Sequence, residues 1–288
     1  MQPVAHCSSN GVALELDASN SAPMTDSTPL LGEPDRLRER YEQDGYLLLR
    51  AVLDPARVWA VREAYFSLFP REYLKPGTGP AAGVYSGQPP VGLAPYGTAG
   101  HPAHDFVRGE QYRAFTADPR LAGLAAAVLG GPVELVPRKV LRHYDAAAKS
   151  AARAHVDRAY PSGADGAQVT AWVPLGDCPL ETGGVVYLEG SHRLDPGLLE
   201  GARALTDRPH DARPFSHDLS WTAETLGGRW LWTDFRAGDL VMHSPHMVHA
   251  TLDTTTETMR LSTDLRFQTA GAGVSSAWQK PWSADDGQ

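Results

Sequence analysis

"DLVMHSPHMVHATLDTTTETMRLSTDLRFQ", residues 239–268, sets two β-branched, apolar runs around a turn-rich middle. The runs "DLVMHSPHMVHATL" and "MRLSTDLRFQ" read as strands. Working outward, "VELVPRKVLRHYD" (133–145), "QVTAWVPL" (168–175), "GGVVYLEGS" (183–191) and "RWLWTDF" (229–235) have the same character: short, β-branched or aromatic, bounded by turn residues. Six such segments with no βαβ alternation predict an antiparallel sandwich or barrel, mainly β and decorated by flanking helices.

The helices come first. "EPDRLRERYEQDG" (33–45) carries Leu37 and Tyr41 one turn apart and stops at Gly45. A strand "YLLLRAV" follows, then "DPARVWAVREAYFSLF" (54–69), with Asp54 as N-cap and Pro55 at the first helical position. A further helix, "DPRLAGLAAAVLG" (118–130), ends at Gly130 and Gly131. Residues 75–104 are crowded with Gly and Pro and read as a long loop of the lid or binding type, in which His101 and His104 are expected to be solvated. Residues 193–228 read as an excursion between strands. The polar stretch 1–30 is expected to be a disordered tail, and 31–288 a single domain.

The 288 residues are 42% apolar, enough for a sizeable core, and no apolar run approaches the roughly 18 residues a membrane helix needs. The net charge of -8 argues against a nucleic-acid partner and favours a small neutral or cationic ligand. No Lys and Arg cluster suited to a coenzyme A phosphate is visible, so an acyl-CoA substrate is disfavoured. Cys7 and Cys178 form neither a disulfide framework nor a CxxC motif, and no secretory signal opens the chain; both suit a cytoplasmic protein. Oligomeric state is not legible.

Chemistry enters at "AHVD", where His155 and Asp157 stand two apart. On extended backbone that spacing points both side chains to one side. A third ligand is available among His243, His246 and His249. Two histidines and a carboxylate on one face of an octahedral ion leave the opposite face open, the arrangement of non-haem Fe(II) oxygenases.

Five stretches in order, "YEQDGYLLLRAVLDPARV", "AHVD", "VTAWVPLGDCPLETGGVVYLEGSH", "FRAGDLVMHSPHMVHATLD" and "MRLSTDLRFQ", resemble the phytanoyl-CoA dioxygenase family. The resemblance implies a double-stranded β-helix (jelly-roll, cupin-like) core. It also implies Fe(II), with 2-oxoglutarate and O2 as co-substrates, and oxidation of a C–H bond with release of succinate and CO2. In the family pattern a distal histidine precedes a turn and a 2-oxoglutarate-binding arginine opens the next strand. Here His249 is followed eleven residues later by Arg260, with a turn expected at about 253–257 joining two antiparallel strands. The implied metal ligands are therefore His155, Asp157 and His249, while one of His243 and His246 is expected to pack or hydrogen-bond near the site.

Arg260 has the planar, permanently charged fork that suits a distal carboxylate, and Ser262 shares its face. Trp172 takes the place of a family tryptophan close to the co-substrate, with Thr170 on the same face. Tyr160 and Arg266 are candidate substrate contacts, Arg266 alternatively an ion-pair residue at the barrel edge. Lys139 and Arg142 point to opposite faces of their strand, so only one looks inward. Gly190, Ser191 and His192 are expected to shape a corner. Related halogenases replace the carboxylate by a small residue, so Asp157 favours hydroxylation over halogenation. The expected substrate is a small organic metabolite in a biosynthetic tailoring step. Pocket walls are sought in 75–104, 193–228 and the tail bearing Trp278 and Trp282. The competing reading is a non-catalytic or Zn- or Mn-dependent cupin-like protein, which would not need Arg260.

Overall fold

The computed structural model describes residues 4–147, 151–157, 167–211, 213–273 and 278–283; Tyr160 lies outside them. The N-terminus departs from the sequence expectation. Residues that read as a disordered tail form a hairpin, β1 (Ala5–Ser9) with β2 (Val12–Leu16), followed by β3 (Ser21–Pro23). Asn10 and Gly11 supply the two positive φ angles, 50° and 80°, that a two-residue hairpin turn requires. Leu14 and Leu16 alternate inward and are buried with Ala154, Val156, Val248 and Ala250, so the hairpin buttresses the backbone on both sides of His155 and His249.

Asp253 ties this hairpin to the link that follows His249. Its carboxylate accepts from Ser8 Oγ (2.6 Å), Asn10 N (2.8 Å) and Gly11 N (2.7 Å). Asp253→Ala leaves these donors without their acceptor and is expected to cost about 2 kcal/mol. A urea melt checks this; a midpoint unchanged from wild type would show that the clamp does not hold the hairpin.

α1 (Pro34–Asp44) stops at Gly45 in the left-handed region (φ 77°), where a Cβ would lie 2.4 Å from His192 Nδ1. β4 (Tyr46–Leu49) follows, then α2 (Pro55–Phe66), capped by Asp54, α3 (Pro102–Phe106), α4 (Glu110–Thr116) and α5 (Pro119–Leu129). His101 and His104 are not solvated: they are 3% and 6% exposed. His101 Nδ1 accepts from Ala103 N and so caps α3, and the His104 ring lies 4.4 Å from that of Trp282.

The β region runs β5 (Val133–Leu135), β6 (Val140–Tyr144), β7 (Gln168–Pro174), β8 (Val185–Leu188), then α6 (Pro196–Ala204) and α7 (Leu219–Leu226), and finally β9 (Trp230–Trp232), β10 (Leu240–His243), β11 (His249–Thr251) and β12 (Arg260–Thr269). One sheet has the order β4-β10-β7-β12, with β5 and β6 both paired to β12; the second is β11-β8-β9-β3. Apart from the parallel β3–β9 pair the ladders are antiparallel. This is the jelly-roll. Tyr46, Leu48, Trp172, Val185, Tyr187 and Val241 fill the space between the sheets. Helices α1 to α5 cover the outer face of the larger sheet, where Val58, Tyr65, Leu121 and Ala125 pack with Leu47, Ala171, Val173 and Leu265, whereas α6 and α7 pack through Leu199 and Leu219 with Val186 and Leu188 of the smaller sheet.

Two sequence expectations are corrected here. "DLVMHSPHMVHATL" is not one strand: Pro245 has no N–H for a ladder, the chain turns at Ser244–Met247, and β10 and β11 lie in different sheets. Nor do β11 and β12 form a hairpin. β11 pairs with β8 and β12 with β7, so the link between His249 and Arg260 crosses from one sheet to the other. Among the described residues no helix is long and apolar enough to cross a membrane.

Candidate active site

His155 and His249 face each other across an isolated antiparallel bridge, exchanging both backbone hydrogen bonds at 2.9 Å. Residues so paired project their side chains to one face, and the ring centroids are 4.1 Å apart. Asp157, two residues on, joins them: one potential ligand atom from each of the three lies within 4.8 Å of the others. His155 Nδ1 lies 2.8 Å from Arg153 O, and His249 Nδ1 2.9 Å from Met247 O. A carbonyl oxygen only accepts, so each Nδ1 carries the proton and each Nε2 keeps the lone pair a metal needs.

The carboxylate is held at both oxygens. Thr170 Oγ1 donates to Asp157 Oδ2 and Arg266 Nη2 to Oδ1, each at 2.7 Å. Burial would raise this acid, but the Arg266 charge and the neighbouring His243 and His249 outweigh it and hold the carboxyl well below its ordinary range. His243 is a wall residue. Its Nδ1 is bonded to Tyr187 Oη (2.8 Å), its Nε2 lies 3.4 Å from Asp157 Oδ2, and its ring is 4.6 Å from that of His249.

Burial pushes His155 down, against the pull of Asp157, and pushes His249 well down, helped by the adjacent His155 and His243 rings. Burial also lowers His143 and takes His101 to about 4. For a base whose folded pKa is depressed, the unfolded chain binds the proton first. Stability is then complete above the ordinary value of 6.5 and is lost as pH falls from there toward about 4. Urea midpoints of the metal-free protein are expected to be level from pH 8 to 7 and to fall steadily from pH 6.5 to 4.5; a flat profile would contradict the neutral assignment of these rings.

Arg260, Ser262, Asp264 and Arg266 share one face of β12. Arg260 is 1% exposed, its Cζ 4.0 Å from the Tyr144 ring centroid, and none of its three guanidinium nitrogens has a hydrogen-bond partner among the described residues. Ser262 Oγ and Trp172 Nε1 are likewise buried and unpartnered. A buried cation with no bonded partner among the described residues is costly, and this chain keeps one with the neutral donor Ser262 two residues along the same face, a set that fits a carboxylate. Thr170 does not belong to that set, because its hydroxyl serves Asp157. Arg142, not Lys139, faces the site, its Nε donating to Asp264 Oδ2 at 2.7 Å.

A cavity of about 520 Å³ opens over the cluster, lined by His155, Asp157, Arg266, Trp278 and Trp282 together with residues of the excursion. The excursion is locked to the metal motif: Val156 N donates to Arg213 O (3.1 Å) and Phe215 N to Ala154 O (2.7 Å). No residue of 75–104 is among those that line it, so that loop is not its wall. Arg266 sits within the interior rather than at a barrel edge, 4% exposed and paired with the very carboxylate of the cluster. Sequence reasoning missed that pairing and the ring of arginines around the cavity.

Comparison with known proteins agrees with this architecture. The family model for phytanoyl-CoA dioxygenase matches residues 41–262, well over half of the chain. A curated relative, 1-deoxypentalenic acid 11-beta-hydroxylase of Streptomyces arenae, is 28% identical over 278 residues, covering 91% of each chain. Its counterpart from Streptomyces exfoliatus is 26% identical over 274 residues, with 91% of each chain covered. Among solved structures, the epimerase SnoN in complex with Fe3+, alpha ketoglutarate and nogalamycin RO aligns with a TM-score of 0.56 at 21% identity, over 89% of this chain and 98% of its own. The carbocyclase SnoK, a non-haem alpha ketoglutarate dependent enzyme from nogalamycin biosynthesis, gives 0.57 at 19% identity, over 86% and 88%. At these identities the two structures speak for the fold.

Proposed function

The chain belongs to the phytanoyl-CoA dioxygenase family, and from that premise we propose that it is a non-haem Fe(II)- and 2-oxoglutarate-dependent oxygenase that hydroxylates a C–H bond of a small organic metabolite in a biosynthetic tailoring step. The observation that carries the reading is Arg260: a cluster of two histidines and an aspartate suits several metals, but a buried guanidinium with every nitrogen unspent beside it suits a metal-chelating dicarboxylate. A zinc or manganese cupin-like protein would gain nothing from that charge.

In this reading His155, Asp157 and His249 hold the metal through two Nε2 atoms and a carboxylate oxygen. Iron held there would, with 2-oxoglutarate and O2, supply the oxidising chemistry that yields succinate and CO2. The protein's part is orientation, charge and exclusion of water. The Arg153 and Met247 carbonyls fix the tautomer of each histidine. Thr170 and Arg266 aim the Asp157 carboxylate and keep it ionised, and Asp157 fills the position that a halide would need. Arg260, with Ser262, receives the far carboxylate of the co-substrate, and Trp172 offers an indole N–H beside it. Val185, Leu231 and Val241 close the interior behind them against water. The decisive assay is succinate formation dependent on Fe(II) and 2-oxoglutarate and not supported by Zn(II) alone. Succinate at background with every metal would remove the oxygenase reading.

A further inference from the structure

Taking the cavity over the metal cluster as the substrate pocket, which rests on the oxygenase reading, we infer that the substrate carries an anionic handle, a carboxylate or a phosphate, seated on Arg266 and drawn in by arginines at the mouth. The chain as a whole is acidic, at -8. Its pocket is rich in arginine: Arg138, Arg142, Arg153, Arg208, Arg213 and Arg266 line it, and although Arg142, Arg153, Arg213 and Arg266 are ion-paired with Asp264, Asp207, Asp211 and Asp157, Nε and Nη1 of Arg266 stay unspent and Arg208 stands exposed at the mouth. Those unspent donors favour an anion over the neutral or cationic ligand expected from net charge.

Arg266 is the anchor. It is 4% exposed; Nη2 is spent on Asp157, while Nε and Nη1 have no partner among the described residues. Trp278 lies 4.1 Å from its Cζ on one side and 5.5 Å from that of Arg138, so the indole fixes the guanidinium plane. Unspent donors on a buried, stacked guanidinium are an oxyanion seat, and oxygen-rich anions are the ligands such a fork recognises. At the mouth, Arg213, whose backbone is hydrogen-bonded to Val156, is exposed and ion-paired with Asp211 at 3.6 Å, and the exposed Arg208 adds a further charge. Trp278 and Trp282 give the same cavity aromatic wall, suited to an apolar body behind the anion. The co-substrate's own carboxylate has a separate seat, since Arg260 is not among the lining residues of this cavity.

The test is equilibrium dialysis of the metal-free full chain against four probes of one shape: 1-naphthoate, 1-naphthyl phosphate, methyl 1-naphthoate and 1-naphthylmethylammonium. At least one anion is expected to bind about tenfold or more tightly than the ester and the cation. Which of the two anions leads decides between carboxylate and phosphate. The preference is expected to shrink to about twofold in Arg266→Gln, to weaken about threefold in the exposed double variant Arg208→Ala/Arg213→Ala, and to survive in Arg260→Met. Equal affinity for all four, no saturable binding of any, or a preference unchanged in Arg266→Gln and in the mouth double variant would overturn the inference. So would a preference that disappears in Arg260→Met, which would put the anion in the co-substrate seat. Should Arg266→Gln not fold, the mouth variant decides alone. Because dialysis needs no turnover, an absence of succinate would refute the oxygenase reading without touching this result.

Discussion

Replacing Asp157 by alanine is expected to lower succinate formation by on the order of a thousandfold and, at the same time, to destabilise the metal-free protein by about 3 kcal/mol. The first effect follows from losing a ligand. The second follows from Arg266, whose buried guanidinium is left with no counter-charge once its 2.7 Å partner is gone. The pairing makes this carboxylate matter for folding as well as for turnover. The two effects separate in the double variant Asp157→Ala/Arg266→Met, which removes both charges and is expected to regain most of the stability and none of the turnover. Urea melts and succinate assays on the same preparations read both. A single variant that keeps more than a tenth of wild-type turnover would refute the ligand role, and a double variant as unstable as the single one would refute the pairing argument.

Arg260→Met is expected to do the reverse: weaken 2-oxoglutarate binding about a hundredfold while leaving stability unchanged or raising it by about 1 kcal/mol. Most buried arginines lose stability when truncated, because they are bonded. Arg260 has no bonded nitrogen to lose among the described residues and is 1% exposed, so methionine relieves a desolvated charge and keeps the volume. Arg260→Lys keeps the charge and not the fork, and should recover part of the affinity. A large loss of stability with unchanged co-substrate affinity would mark Arg260 as structural.

What could be read from the sequence divides along the range of the interactions. The strands were legible as β-branched runs; the spacing of His155 and Asp157 alone is a weak signal, and the cluster was legible because the resemblance to a family pattern singled out His249 among three histidines and Arg260 after it. The identity of the sheets was not, since Pro245 turns a continuous apolar run into two strands on opposite sides of the interior. The N-terminal hairpin had a local signal, Asn10-Gly11 between alternating apolar positions, hidden under a polar composition that resembled a tail. Thr170 was recognised as inward facing, but its partner was misjudged, because parity gives a face and not a bond. Arg266 and Asp157 are 109 residues apart, and the cavity's arginines come from stretches scattered between 138 and 266. No window and no net charge reports a surface assembled in that way. Counting charges over the whole chain does not show that six arginines gather around one cavity.

An anaerobic titration of the Fe(II)-loaded protein with 2-oxoglutarate, followed by the visible charge-transfer absorption that arises when the keto acid chelates the metal, reports whether the cluster holds iron and Arg260 seats 2-oxoglutarate on it. A saturable band is predicted for the wild type, shifted to about a hundredfold higher concentration in Arg260→Met and absent in the Asp157→Ala/Arg266→Met double variant. Fe(II) bound without any band, or a band whose titration ignores Arg260, would contradict that arrangement.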